Sequence, residues 1–136
     1  MGADIHIFIE RKDSDNNYWY GFGDNIHAER SYSMFGAIAG VRSDEVTPIS
    51  EPRGFPPDYS AYDKGIKDEY AFHSWTYLTP NELELAIARV TALYAKDADG
   101  DDDYLNFWMD YKIILEFCRD LERNNNDVRL VIGFDS

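Results

Sequence analysis

The run from Asp4 to Glu10 restricts this chain more than any other stretch. Ile5, Ile7 and Ile9 alternate with Asp4, His6, Phe8 and Glu10. Period two is the pattern of a β-strand with one buried face, and a helix, with its repeat of roughly 3.6 residues, cannot gather those isoleucines on one side. The chain closes in the same manner, with Leu130, Ile132 and Phe134 on one face of a second alternating run. Both ends of the chain therefore read as strands that need a common apolar cover.

Between them the pattern changes. KDSDNN at 12–17 is a turn cluster and YWYGFG at 18–23 reads as a strand, so the N-terminus is expected to form a hairpin. In SYSMFGAIAGV, Tyr32, Phe35, Ile38 and Ala39 share a helical face and Gly40 is a candidate C-cap. Residues 43–72 hold four of the five prolines and no clear period, which reads as a long loop of the kind that carries function. Thr79, Pro80 and Glu82 form a helix start with a capping box, and Leu83, Ile87, Val90 and Tyr94 continue it to about Lys96. Phe107, Tyr111, Ile114, Leu115, Cys118 and Leu121 define a second long amphipathic helix over 104–123. The expected architecture is one α+β domain over 1–136. It has a small, mainly antiparallel sheet, made of the N-terminal hairpin plus the C-terminal strand, with helices packed on one face.

A formal charge of −13 repels nucleic acid and anionic membrane at long range, so no direct nucleic-acid or membrane partner is expected. The same charge admits the reverse role, an acidic mimic of DNA phosphates. Cys118 is the one cysteine, which fits a reducing cytoplasm. No apolar run reaches the roughly 18 residues of a membrane span, and the N-terminus has neither the basic region nor the apolar core of a signal peptide. His6 stands where a myristoylation signal needs Ser or Thr.

Chemistry is expected on the face opposite the isoleucines. Asp4 and His6 stand two residues apart on one strand face, roughly 7 Å along it, which suits a metal site or a base with its orienting acid. Arg129 and Asp135 share a parity on the last strand and can reach that face if the register allows. Arg53, on the stiff segment EPRGFPP, offers a fork for phosphate or carboxylate, or simply a salt bridge. His73, Ser74 and Trp75 precede a helix start whose N–H groups favour an anion; Trp75 can stack a base or cap the core. His27 reads as a loop residue. DADGDDD fails as a calcium loop because Gly100 falls at its fourth position and Trp108 where the bidentate acid belongs. His73 and Ser74 are not expected to pair, since sequence neighbours do not face each other in a regular element.

Taken together, MGADIHIFIE, RSYSMFGAIAGVR, PRGFP, HSWTYLT and VRLVIGFD resemble a family of small phage and prophage proteins. That family opens M-G-x-D-I-H and carries a P-R-G-x-P loop and an H-S-x-S-W-like element. The resemblance spans most of the chain in the same order, with departures at Ser31 and in the compact HSW. It brings no established activity. It implies that Asp4, His6, Tyr32, Arg42, Arg53, His73, Ser74 and Trp75 are the positions that match the motifs, and that the setting is the cytoplasm of a bacterial host.

Three functions fit these residues. One is an enzyme acting on a phosphoester or nucleotide, with His6 and His73 as acid and base and Asp4 orienting His6. Arg42, Arg53, Tyr32, Ser74 and Trp75 would hold the ligand, and a divalent metal on Asp4, His6 and His73 would fit the same reading. The second is a binder that sequesters a nucleotide-like molecule, in counter-defence, without cleaving it. The third is an acidic interaction protein that needs no pocket.

Overall fold

A computed structural model describes residues 2–13, 15, 17–21, 25–59, 61–96 and 109–136, the side chains of 61–63 and 96 excepted. The elements in chain order are β1 (Asp4–Asp13), β2 (Tyr20–Gly21), α1 (Tyr32–Ala39), α2 (Ala61–Glu69), β3 (His73–Leu78), α3 (Pro80–Lys96), α4 (Met109–Arg123) and β4 (Asn126–Asp135). The strands form one antiparallel sheet in the order β2-β1-β4-β3. The fold is a small α+β fold, and the last strand lies beside the first, as the two alternating runs predict.

The register of β1 on β4 runs without a break from Asp4 opposite Asp135 to Asp13 opposite Asn126. It aligns Ile5, Ile7 and Ile9 with Phe134, Ile132 and Leu130 on one face. Against that face pack Met34, Phe35 and Ile38 of α1, Leu83, Ala86 and Val90 of α3, and Tyr111, Ile114, Cys118 and Leu121 of α4, all buried. Burial pushes the Cys118 thiol up to about 12, so it stays protonated and inert. The helix start is built as its residues dictate: Thr79 Oγ1 accepts from Glu82 N at 3.2 Å, and Glu82 Oε1 accepts from Thr79 N at 3.0 Å. Ser31 caps α1, and Gly40 ends it at φ 72°. Phe107 and the first turns expected for the last helix, as well as DADGDDD, lie outside the described residues.

The opposite sheet face is covered too, which explains its mixed polarity. Phe8 and Val131 sit at its centre under Ile66 of α2, with Phe55, Tyr70, Phe72, Trp75 and Tyr77 packed around them. Gly133 leaves room for this layer, since a Cβ there would lie 3.0 Å from both Phe72 and Trp75. Two elements of this side depart from the sequence expectation. The 43–72 region contains α2, a helix hidden by Gly65 and by having Ile66 as its buried apolar anchor. HSWTYL is an edge strand, hidden because a register shift between His73 and Thr76 breaks its alternation.

Glu10 and Arg129 are buried on this face as a charged pair. Glu10 is fully buried opposite Arg129, whose Nε donates to Glu10 Oε1 at 2.5 Å. Arg129 Nη1 donates to Asp58 Oδ1 at 2.6 Å, and its guanidinium lies 4.3 Å from the Trp19 ring centroid. Burial raises the Asp58 carboxyl more than any single contact lowers it, but the bond and charge of Arg129 with the bonds from backbone and Trp19 together outweigh it and hold the group below the usual range. Removing one member of a buried pair strands the other's charge, whereas replacing both with apolar groups does not. Glu10→Ala is expected to cost on the order of 3 kcal/mol in urea unfolding, and the double variant Glu10→Leu/Arg129→Met far less.

Candidate functional site

Where β1 begins and β4 ends, the register brings His6 opposite Gly133 and Asp4 opposite Asp135. His6 Nε2 lies 2.6 Å from Asp135 Oδ2, and His6 Nδ1 lies 2.7 Å from Asn25 Nδ2. The imidazole stacks on Phe72, with centroids 4.2 Å apart and planes 12° from parallel, and its side chain is 14% exposed. Asn25 arrives through a bridge between Ile26 and Ile7, closed by N–H to O=C bonds of 2.8 and 3.0 Å. Ile26 packs with the main core, so its neighbours Asn25 and His27 alternate to the His6 side. The His27 ring is 5.4 Å from that of His6.

Asp4 is clamped by Arg30, whose Nε and Nη2 each donate at 3.1 Å to its two oxygens, and His27 Nε2 stands 3.9 Å away. Gly2 makes that clamp possible, because a Cβ there would lie 1.9 Å from Arg30 Nη1. Tyr32 OH accepts from Ala3 N at 3.2 Å, and the Arg42 guanidinium lies 5.9 Å from the Tyr32 ring. At the edge, His73 lies opposite Phe134, two strand spacings or roughly 10 Å from β1. Its Nδ1 is 2.9 Å from Ser74 Oγ and its Nε2 3.0 Å from Ser136 Oγ. The neighbours face each other because Ser74 has φ 54° at the bulge, which no regular strand allows.

Asp4 and His6 on one sheet face, and Tyr32 and His73 on the other with Phe134, thus lie at one end of the sheet, with Ser74 beside His73 and Arg42 beside Tyr32. Two expected site residues do not join them. Arg53 runs outside β3, its N donating to Thr76 Oγ1 at 3.2 Å and its Nη1 to the Tyr77 carbonyl at 2.8 Å. Its fork grips Glu82 at 2.9 and 2.5 Å, so it braces the start of α3. That lane is three strand spacings from β1, roughly 14 Å, too far to share one small ligand with His6. Trp75 lies inside the aromatic layer, 5.0 Å from Phe55 and 5.5 Å from Phe72, and caps a core. Arg129 reaches the His6 face but four residues along, roughly 13 Å away.

Among the described residues no three His, Cys, Asp or Glu side chains are arranged to hold a metal ion. The Asp4, His6 and His73 set does not converge: Arg30 takes the first, Asp135 and Asn25 the second, Ser74 and Ser136 the third. Asn25, His27, Arg30 and Ser136 are site residues that the sequence reading passed over. The one trace of them is the alternation of Asn25 and His27 about Ile26. Comparison with protein-family models, curated proteins and solved structures finds no match.

The bond from Arg53 holds the Glu82 carboxyl below the ordinary glutamate value. A depressed folded value adds stability that is present above the unfolded value and is lost as pH falls through the folded one. Arg53→Ala is therefore expected to cost about 1–2 kcal/mol at pH 7, after allowance for partial solvent screening. The gap from wild type should narrow once pH falls below the unfolded glutamate value of about 4.3. Urea unfolding of both proteins at pH 7 and pH 3 measures it, and an equal gap at the two pH values would refute the assignment.

Proposed function

We propose that the shared end of β1, β4 and β3 binds a phosphate-bearing, nucleotide-like small molecule and hydrolyses its phosphoester. The observation that carries this reading is the closeness of His6 and His27, rings 5.4 Å apart, to Asp4, Asp135 and Arg30 at that end, with His73 at the same end but on the face of Phe134. Imidazoles are the side chains best suited to move protons near neutral pH, and Asp135 orients one of them. Arg30, on Asp4, and Arg42, beside Tyr32, are cations that would meet phosphate charge in this reading. The resemblance to phage proteins supports a place in the cytoplasm of an infected bacterium. One observation favours a second reading: both nitrogens of His6 are engaged, by Asp135 and Asn25. An imidazole held at both ends suits a binder that sequesters a host signalling nucleotide.

The two readings separate by turnover. The purified protein and its His6→Ala variant are incubated with linear and cyclic nucleotides, with and without divalent metal, and followed by chromatography. New products that vanish in the variant are the expected result. Nucleotide depleted from solution but released intact on denaturation would establish sequestration instead. With every compound untouched, the pocket is wrong and the search moves to protein partners, starting from exposed Met109 and Ile113 on α4.

A further inference from the structure

The bulge in β3 builds a second arrangement at this end. Ser74 is a non-glycine residue at φ 54°, a conformation that is uncommon outside glycine and that is concentrated at functional sites. Its backbone turns the hydroxyl onto His73 Nδ1 at 2.9 Å, while Ser136 Oγ takes the other ring nitrogen at 3.0 Å. A neutral imidazole has one donor and one acceptor nitrogen, and a hydroxyl can serve either, so the geometry fits both tautomers. With Nε2–H donated to Ser136, Nδ1 is the acceptor of the Ser74 proton. Hydroxyl, base and orienting group then stand within hydrogen-bond reach, as an activated nucleophile requires. His73 is exposed and Ser74 half-buried, so the group is open to substrate.

We propose that Ser74 is a nucleophile, that His73 is its base, and that Ser136 is a positioning residue that sets the His73 tautomer. The inference rests on the reading of this end as a phosphoester site and specifies the route. Ser74 Oγ attacks phosphorus and its proton passes to His73 Nδ1. The Oγ–P bond forms, the bond from phosphorus to the leaving alcohol breaks, and His73 returns the proton to the departing oxygen. Water then attacks the phosphoserine with His73 as base, and the Oγ–P bond breaks with the proton returned to Ser74. One water is consumed per ester cleaved.

Diisopropyl fluorophosphate tests the first half directly, since the same attack forms an Oγ–P bond and expels fluoride. Intact-mass and peptide mass spectrometry are expected to find one adduct, on Ser74. It should be absent in Ser74→Gly, which accepts the positive φ without strain, and form at least about 100-fold more slowly in His73→Gln. Nitrogen-15 NMR should report the Nε2–H tautomer of His73, and Ser136→Ala should shift that population and slow labelling. No adduct, an adduct elsewhere, a rate indifferent to His73→Gln, or a dominant Nδ1–H tautomer each overturns the proposal. Nucleotide turnover that needs His6 but persists in Ser74→Gly would also overturn it while leaving the phosphoester reading intact. Ser74 labelled in a protein that turns over no nucleotide keeps the nucleophile and removes the nucleotide as its substrate.

Discussion

The pairing of β1 with β4 carries the rest of the molecule. Ten consecutive residue pairs leave no slack in register, and a slip of one would turn every isoleucine of β1 toward the aromatic layer. The same pairing sets His6 against the end of β4, where Asp135 reaches it, and sets Glu10 against Arg129. Main core, buried ion pair and candidate site therefore share one cause. The polar side chains of β1 are specific to their partners, and a shifted strand would leave a buried carboxylate without its arginine, a heavy penalty in a low-dielectric setting.

Both sheet faces are covered, but by different means. Helices with apolar stripes close one side, as the composition of α1, α3 and α4 requires. The other is closed by a short helix and a proline-rich segment that contribute large rings. That segment is fastened at Arg53 to Glu82, at Gly54 N to the Trp75 carbonyl at 2.7 Å, and at Asp58 to Arg129 and Trp19. Prolines lower the entropy lost on ordering such a stretch, which suits a cover held by few contacts.

The legible parts of the sequence were those whose signal is local. Alternation announced β1 and β4, and Thr79, Pro80 and Glu82 announced α3, because each pattern lies within a few residues. Long-range geometry was not legible. Arg53 looked like a phosphate ligand because its fork suits any pair of oxygens, and nothing local says that the pair belongs to Glu82. His73 and Ser74 looked unable to meet because the rule that forbids it assumes a regular strand, and the bulge is the exception. His27 looked idle because its neighbours in space, Asp4 and His6, come from a strand that its segment meets through the Ile7–Ile26 bridge.

β1 is synthesised well before β4, the strand it pairs with along its whole length. Until β4 emerges from the ribosome, β1 has its isoleucines ready and its main partner missing, the situation in which nascent chains self-associate. Asp4, His6, Glu10, Arg11 and Lys12 interrupt or flank that apolar run with charge and polarity, as gatekeeper residues do beside unavoidable hydrophobic strands. The side chains that later find Arg30, Asp135 and Arg129 would thus first serve the unfinished chain, keeping it soluble while the centre of its sheet is still incomplete.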